Sequence, residues 1–214
     1  MTKLKMLPSS RAYSANPDGD PLRFYYVPFL GALYRGRVEK CLSLLPGGKR
    51  VLEAGFGSGV TFFNLAELYS EIYGIDLNSN CAAVAECYRK QGITPGLVNA
   101  SLLAIPYPNA CFDAVLCISV LEHLSPGDLD AAFREISRVI RPSGVLVYGV
   151  PIERPLMVMS FRLLGYDIRE HHFSTEKDVF LSASRYFAPE RQLTIRGLGG
   201  LAGPIYEIRR LIKS

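Results

Sequence analysis

The stretch VLEAGFGSGV, Val51 to Val60, decides how this chain folds and what kind of ligand it suits. Val51 and Leu52 read as a buried strand, and Gly55, Gly57 and Gly59 follow at alternate positions. Glycines so placed let a backbone turn sharply and approach a ligand closely. The dinucleotide fingerprint G-x-G-x-x-G would put its last glycine where Val60 stands. No Lys-Ser or Lys-Thr pair closes the loop, which sets aside a phosphate-cradling P-loop. Glu53, on the strand just before the loop, would repel a pyrophosphate and accept a hydrogen bond from a cationic amino group. The loop therefore suits a ligand with an ammonium, a ribose and little or no phosphate.

Outward from the loop, strands and helices alternate. "RVLEAG" reads as a strand and "VTFFNLAELY" as a helix. "EIYGID" is the next strand and ends in Asp76, a carboxylate placed to accept both ribose hydroxyls, as in nucleotide-binding α/β domains. "NSNCAAVAECYRKQ" predicts a helix capped by Asn78 or Ser79. "GLVNA" is a short strand and "FDAVLCIS" a long buried one. In "SPGDLDAAFREISRVI", Ser125 can cap a helix, Pro126 suits its first turn, and Leu129, Ala132, Phe133, Ile136 and Val139 make an apolar stripe. "RPSG" turns the chain into the buried strand "VLVYGV". Such alternation predicts an open α/β sheet with right-handed crossovers, whose ligands bind beyond the carboxyl ends of the strands.

The flanks are less regular. Pro8, Pro17, Gly19 and Pro21 predict a flexible N-terminal arm over residues 1–21. In "FYYVPFLGALYRGRVEKCLSLLP", Leu30, Leu33, Tyr34 and Val38 recur at helical spacing until Pro46-Gly47-Gly48 stops them. After Pro151, helices are expected over 155–164 and 175–187, then a strand-like "RQLTIRGL" and a basic, partly apolar tail.

With 214 residues, 49% hydrophobic and 21% charged, the chain is long enough for one domain with a real core. A net charge of +4 is a mild excess, more in keeping with an enzyme surface than with a nucleic-acid or membrane partner. Cys41, Cys81, Cys87, Cys111 and Cys117 form no C-x-x-C pair, which argues against a zinc site or a disulfide framework and for reduced thiols in a cytoplasm. "MTKLKMLPSS" lacks the apolar core of a signal peptide, and no apolar run approaches the ~18 residues of a spanning helix.

"VLEAGFGSG", "GIDLN", "AIPYPNACFDAVLCISVLEHL" and "ISRVIRPSGVLVYGVP", in that order, resemble the successive motifs of class I S-adenosylmethionine-dependent methyltransferases, in the small-molecule branch that includes quinone-biosynthesis enzymes. The resemblance covers about residues 34–151. It implies an open, mostly parallel seven-stranded Rossmann-like sheet with helices on both faces and a reversed last strand supplied by residues 190–210. It also implies one methyltransferase domain over 22–214: a helical lid at 22–46, a cofactor-binding core at 49–151, and acceptor-side and C-terminal elements at 152–214.

Carried over by position, the resemblance implies that Glu53, Gly55 and Gly57 line the methionine end of S-adenosylmethionine, with S-adenosylhomocysteine as product, and that Phe56 is a further cofactor contact. Asp76 would hold the ribose, Leu77 would pack on the adenine, and Ser101 and Leu102 would lie near the adenine edge, where relatives often carry an Asp in place of Ser101. Ile118 would border the methyl group, and His123 in "SVLEHL" is the candidate general base. His171 and His172 form a second polar cluster. Some relatives bind a divalent metal through Glu-x-x-Glu-His; Ser119 stands where the first Glu would be, so no metal is expected. Arg35 or Arg37 is placed to reach the cofactor carboxylate.

Neither an Asn-Pro-Pro-Tyr-like motif nor a Pro-Cys nucleophile follows the fourth strand, which argues against nucleic acid as acceptor. Phe24, Tyr25, Tyr26, Phe29 and Tyr34 suit a lid or a core, and an apolar lid with a basic tail suggests a small or lipid-like acceptor, methylated at O or C, with room for peripheral membrane contact. Nothing in the sequence speaks to oligomeric state. The rival readings are a non-catalytic cofactor-binding partner subunit and a nicotinamide oxidoreductase.

Overall fold

The computed structural model describes residues 2–13, 20–152, 173–197 and 203–213. The helix expected over 155–164, and His171 and His172, lie outside them. The seven strands are β1 (Gly48–Ala54), β2 (Tyr69–Asp76), β3 (Gly96–Asn99), β4 (Phe112–Ile118), β5 (Ile140–Pro151), β6 (Phe187–Arg196) and β7 (Pro204–Lys213). They form one sheet in the order β3-β2-β1-β4-β5-β7-β6. The first five run parallel, whereas β7 runs antiparallel to both β5 and β6. The reversed strand expected within 190–210 is therefore present, as part of a longer hairpin.

The side-chain period of two explains the layers. Val51, Ala114, Leu116, Val145 and Val147 face one core, while Leu52, Val115, Cys117, Leu146 and Tyr148 face the other. The first core is covered by α1 (Leu30–Leu42), α2 (Phe62–Leu68) and α3 (Cys81–Arg89), through residues such as Val38, Leu65 and Tyr88. The second is covered by α4 (Pro126–Val139) and α5 (Glu176–Ala183). In α4 the predicted stripe Leu129, Ala132, Phe133, Ile136 and Val139 is fully buried, Ser125 accepts from the Asp128 amide, and Pro126 opens the first turn.

Several local expectations are corrected. The cap of α3 is Asn80, whose Oδ1 accepts from the Ala83 amide at 3.0 Å. The helix starts at Cys81, which leaves Asn78 and Ser79 too early in the chain to cap it; their amides bind Asp76 Oδ1. The arm is not featureless over its described part: Leu4 and Tyr13 are buried in the first core, and Ser10–Ala12 forms a 3-10 turn. In α1, Val38 is buried as expected, but Leu30 and Leu33 are exposed. "RPSG" does not interrupt β5; Ser143 takes a positive φ of 61° where the β4–β5 register shifts, so the turn is a bulge.

The strand order reverses between β1 and β4, whose carboxyl ends lie side by side. That is the crevice where open α/β sheets bind ligands.

Candidate functional site

The loop that leaves β1 turns on three glycines in the left-handed region, Gly55, Gly57 and Gly59, at φ of 74°, 53° and 74°. A Cβ at Gly55 would collide with the Val120 side chain, and one at Gly57 would sit 2.6 Å from Asp20 Oδ2. In phosphate-binding loops the amides point at the anion. Here they are already used. Gly55 N–H donates to the Ile75 carbonyl and Gly59 N–H to the Phe56 carbonyl, each at 2.7 Å. Gly57 N–H donates to Asp76 Oδ2 at 2.9 Å, and Ser58 N–H to Asp20 Oδ2 at 2.7 Å. Two carboxyl groups thus stand where a pyrophosphate would need donors, so the loop repels phosphate.

Beside the loop lies a cavity of about 400 Å³, within the usual size of small-molecule sites. Every predicted contact residue lines it: Glu53, Gly55, Phe56, Gly57, Asp76, Leu77, Ser101, Leu102 and Ile118, and so does His123. They come from the carboxyl ends of β1, β2 and β4 and the segments that follow these strands and β3.

Glu53 is the most perturbed carboxyl group among the described residues. It is 4% exposed, and its Oε2 accepts a hydrogen bond from Thr61 Oγ1. Burial pushes its carboxyl pKa up to about 8, with Asp76 and Asp20 adding to the rise and the Thr61 hydroxyl opposing it. Asp76 accepts three backbone N–H groups, from Gly57, Asn78 and Ser79. A carboxylate offers about four acceptor positions, so this one is oriented by the loop with room for a further donor. Leu77 is 67% exposed on the cavity wall, a free apolar surface, whereas Phe56 is buried against Phe62. Ser101 Oγ accepts from the Leu103 amide at 3.1 Å, and Leu102 is buried in the second core. His123 is exposed, in a 3-10 turn directly after β4.

The two arginine candidates separate. Arg35 turns back to donate to the Tyr25 carbonyl. Arg37 lines the cavity, stacks 4.1 Å from the Tyr34 ring centroid, and reaches Ser119 Oγ at 3.5 Å. Ser119, at a positive φ of 53°, in turn shares a 2.8 Å hydrogen bond with Tyr206 of β7. Arg37 Nε is buried without a hydrogen-bond partner among the described residues. Among those residues no three His, Cys, Asp or Glu side chains converge on a metal position.

Asp20, Tyr25, Ser58, Thr61 and Tyr206 were not foreseen in these roles. For Asp20 a signal existed: Asp-Pro is a helix-start pair, and Asp20 Oδ1 does cap the 3-10 turn Pro21–Tyr26 through the Leu22 amide. Tyr206 had none, since strand reversal brings it in from far along the chain.

Comparison with known proteins agrees with this geometry. Residues 52–148 match the family model described as a methyltransferase domain. The ubiquinone biosynthesis O-methyltransferase of Burkholderia lata is 32% identical over 122 residues, 55% of this chain and 50% of that protein. The fatty-acid O-methyltransferase of Mycolicibacterium smegmatis is 33% identical over 138 residues, 56% of this chain and 48% of that protein. The chain thus spans about half the length of the curated relatives it matches. The crystal structure of the N-methyltransferase NodS from Bradyrhizobium japonicum WM9 with S-adenosyl-L-homocysteine superposes with a TM-score of 0.67 at 17% identity, covering 95% of this chain and 96% of that one, and so shares the fold. The motif order, the seven-stranded sheet and the family match over residues 52–148 thus all show a likeness to methyltransferase domains.

Proposed function

We propose that the protein transfers a methyl group from S-adenosylmethionine to a small or lipid-like acceptor, at O or C. The observation that carries this is the glycine loop whose amides are satisfied by Asp76 and Asp20, beside a buried Glu53. The residues fit the cofactor: the left-handed glycines let the loop pack tightly against Val120, Asp20 and Phe62 beside the cavity, and acidic groups line a cavity suited to a cation without phosphate. When bound, S-adenosylmethionine supplies an electrophilic methyl on a sulfonium.

In this reading Glu53, Gly55, Phe56 and Gly57 hold the methionine end, Asp76 the ribose, Leu77, Ser101 and Leu102 the adenine side, and Ile118 the wall nearest the reacting carbon. Arg37, on the same cavity, meets the carboxylate with its guanidinium. Holding donor and acceptor in line supplies much of the rate. For a hydroxyl acceptor, His123 takes the proton as oxygen gains the methyl and the S–C electron pair returns to sulfur. An apolar acceptor is supported by Tyr25, Val38, Val120 and Leu124 on the same cavity. Exposed Val27, Phe29, Leu30 and Leu33 at the start of α1 extend that apolar character to the surface. Among the described residues no helix is long and apolar enough to cross a membrane, and we place the protein in the cytoplasm.

Thermal unfolding with S-adenosylmethionine, S-adenosylhomocysteine and NADH tests the reading. A ligand at about 100 times its dissociation constant adds roughly 2.7 kcal/mol, raising the midpoint by some ~5–10 °C. Both sulfur compounds should shift it and NADH should not; no shift with either sulfur compound overturns the proposal. A labelled-methyl panel of quinols, phenols and fatty acids then finds the acceptor. Binding without transfer to any of them favours the partner-subunit reading.

A further inference from the structure

Asp20 lies outside the matched domain, yet its side chain is built into the cavity. One carboxylate oxygen caps the Pro21–Tyr26 turn through the Leu22 amide at 2.8 Å, and the other accepts from the Ser58 amide at 2.7 Å. This joins the N-terminal segment to the glycine loop. Asp20, Pro21 and Tyr25 form the cavity wall on that side. Among the described residues, no Lys, Arg or His forms an ion pair with Asp20, Glu53 or Asp76. The arginine of the same cavity, Arg37, is held by Ser119 and the Tyr34 and Tyr206 rings. Three carboxyl groups, Asp20, Asp76 and the proton-holding Glu53, therefore face one small space, and none of them is ion-paired among the described residues.

Methyl transfer changes the charge of what fills that space. Before the S–C bond breaks the sulfur carries a positive charge; afterwards the electron pair has returned to it and it is a neutral thioether. The ammonium and carboxylate of the methionine end are the same in both. A fixed negative charge beside the ligand therefore favours the donor over its product by its interaction with the sulfonium alone.

We propose that Asp20 is a specificity-determining residue that reads this difference: its carboxylate, latched to the glycine loop, tightens the sulfonium donor relative to the thioether product. The inference rests on the function proposed above. Burial raises the Asp20 carboxyl above its usual range, opposed by its hydrogen bonds to Ser58 and Leu22 and reinforced by Asp76; a cation in the cavity would relieve that strain. The carboxylate thus joins the N-terminal segment to the glycine loop and reads the ligand's charge at once.

Calorimetric titration of wild type, Asp20→Asn and Asp20→Ala tests it, with S-adenosylmethionine, S-adenosylhomocysteine and sinefungin, which carries a protonated amine near the sulfonium position. Asn loses the charge and keeps one oxygen, so it can still accept from one of the two amides. Asp20→Asn should weaken S-adenosylmethionine and sinefungin by about five- to tenfold and S-adenosylhomocysteine by less than about twofold. Asp20→Ala, which also loses the latch, should weaken all three. Equal weakening of donor and product in Asp20→Asn, or none, overturns the inference while leaving the methyltransferase reading intact. A wild-type protein that binds neither sulfur compound overturns both. Should the variants fail to fold, wild type is titrated between low and high salt: the donor-to-product affinity ratio should shrink with salt, and an unchanged ratio overturns the inference.

Discussion

Replacing Glu53 by Gln removes a carboxyl group whose ionisation burial strongly opposes. Glu53 is 4% exposed, and its folded pKa of about 8 lies above the ordinary 4.5. Between those values the unfolded chain has released the proton while the folded chain still holds it. The stability this contributes is thus fully present below about pH 4.5 and is lost progressively as pH rises to about 8. The gap between the two values sets a ceiling of about 5 kcal/mol, and water entering at the cavity mouth brings the expected loss to about 1–3 kcal/mol. Gln matches the shape and can still accept from Thr61 Oγ1, but it does not titrate. The difference in unfolding midpoint, Glu53→Gln minus wild type, should therefore be small at pH 5 and grow to about 3–9 °C by pH 8.5. Subtracting the two curves cancels every other titrating group. The assay is thermal unfolding of protein stripped of bound cofactor, from pH 5 to 9. In the same variant S-adenosylmethionine should bind more weakly. A midpoint difference that stays flat across the range would refute the assignment of a buried, neutral Glu53.

Three further outcomes are expected. Gly55→Ala forces a side chain into Val120 at a φ of 74°, and should cost about 2–4 kcal/mol and abolish the thermal shift with S-adenosylhomocysteine; a normal shift would mean that the loop relaxes freely. Asp113→Ala removes the acceptor of the Lys49 and Arg50 amides, each at 2.7 Å, and the partner of Arg141. It should cost about 1–2 kcal/mol, read from denaturant unfolding, with cofactor affinity unchanged, because it lies at the opposite end of the strands from the cavity. His123→Ala, assayed with a hydroxyl acceptor, should lower kcat by about 10²-fold or more with little change in cofactor affinity; activity within a few-fold of wild type would remove His123 as the base.

The parallel core was legible because its strands are continuous apolar runs and α4 carries its cap, proline and stripe in one segment. The residues around the cavity were legible for the same reason: they follow strand ends, and a strand end is easy to place. Asn80 was missed as a cap because Asn78, Ser79 and Asn80 are all good cap residues in a row, and only the fold fixes the helix start at Cys81. Leu30 and Leu33 fit the helical period but sit on a face the core does not reach. Arg35 and Arg37, two positions apart, point to different sides of α1, so only the fold could separate them. Ser58, Thr61 and Asp20 depend on hydrogen bonds between segments, and proline-rich composition gave no hint that the N-terminal residues would pack.

The place of β7, antiparallel between β5 and β6, bears on how the molecule assembles. Until the β6–β7 hairpin docks, β5 presents an open edge bearing Val145, Val147 and Val150, the kind of edge that recruits other chains. Its pairing Val145↔Ile212 spans a long stretch of chain, so loop closure places that step late in folding. The same docking delivers Tyr206 to Ser119. Ligand binding during refolding should thus appear only with the final kinetic phase, and aggregation should compete most strongly just before it.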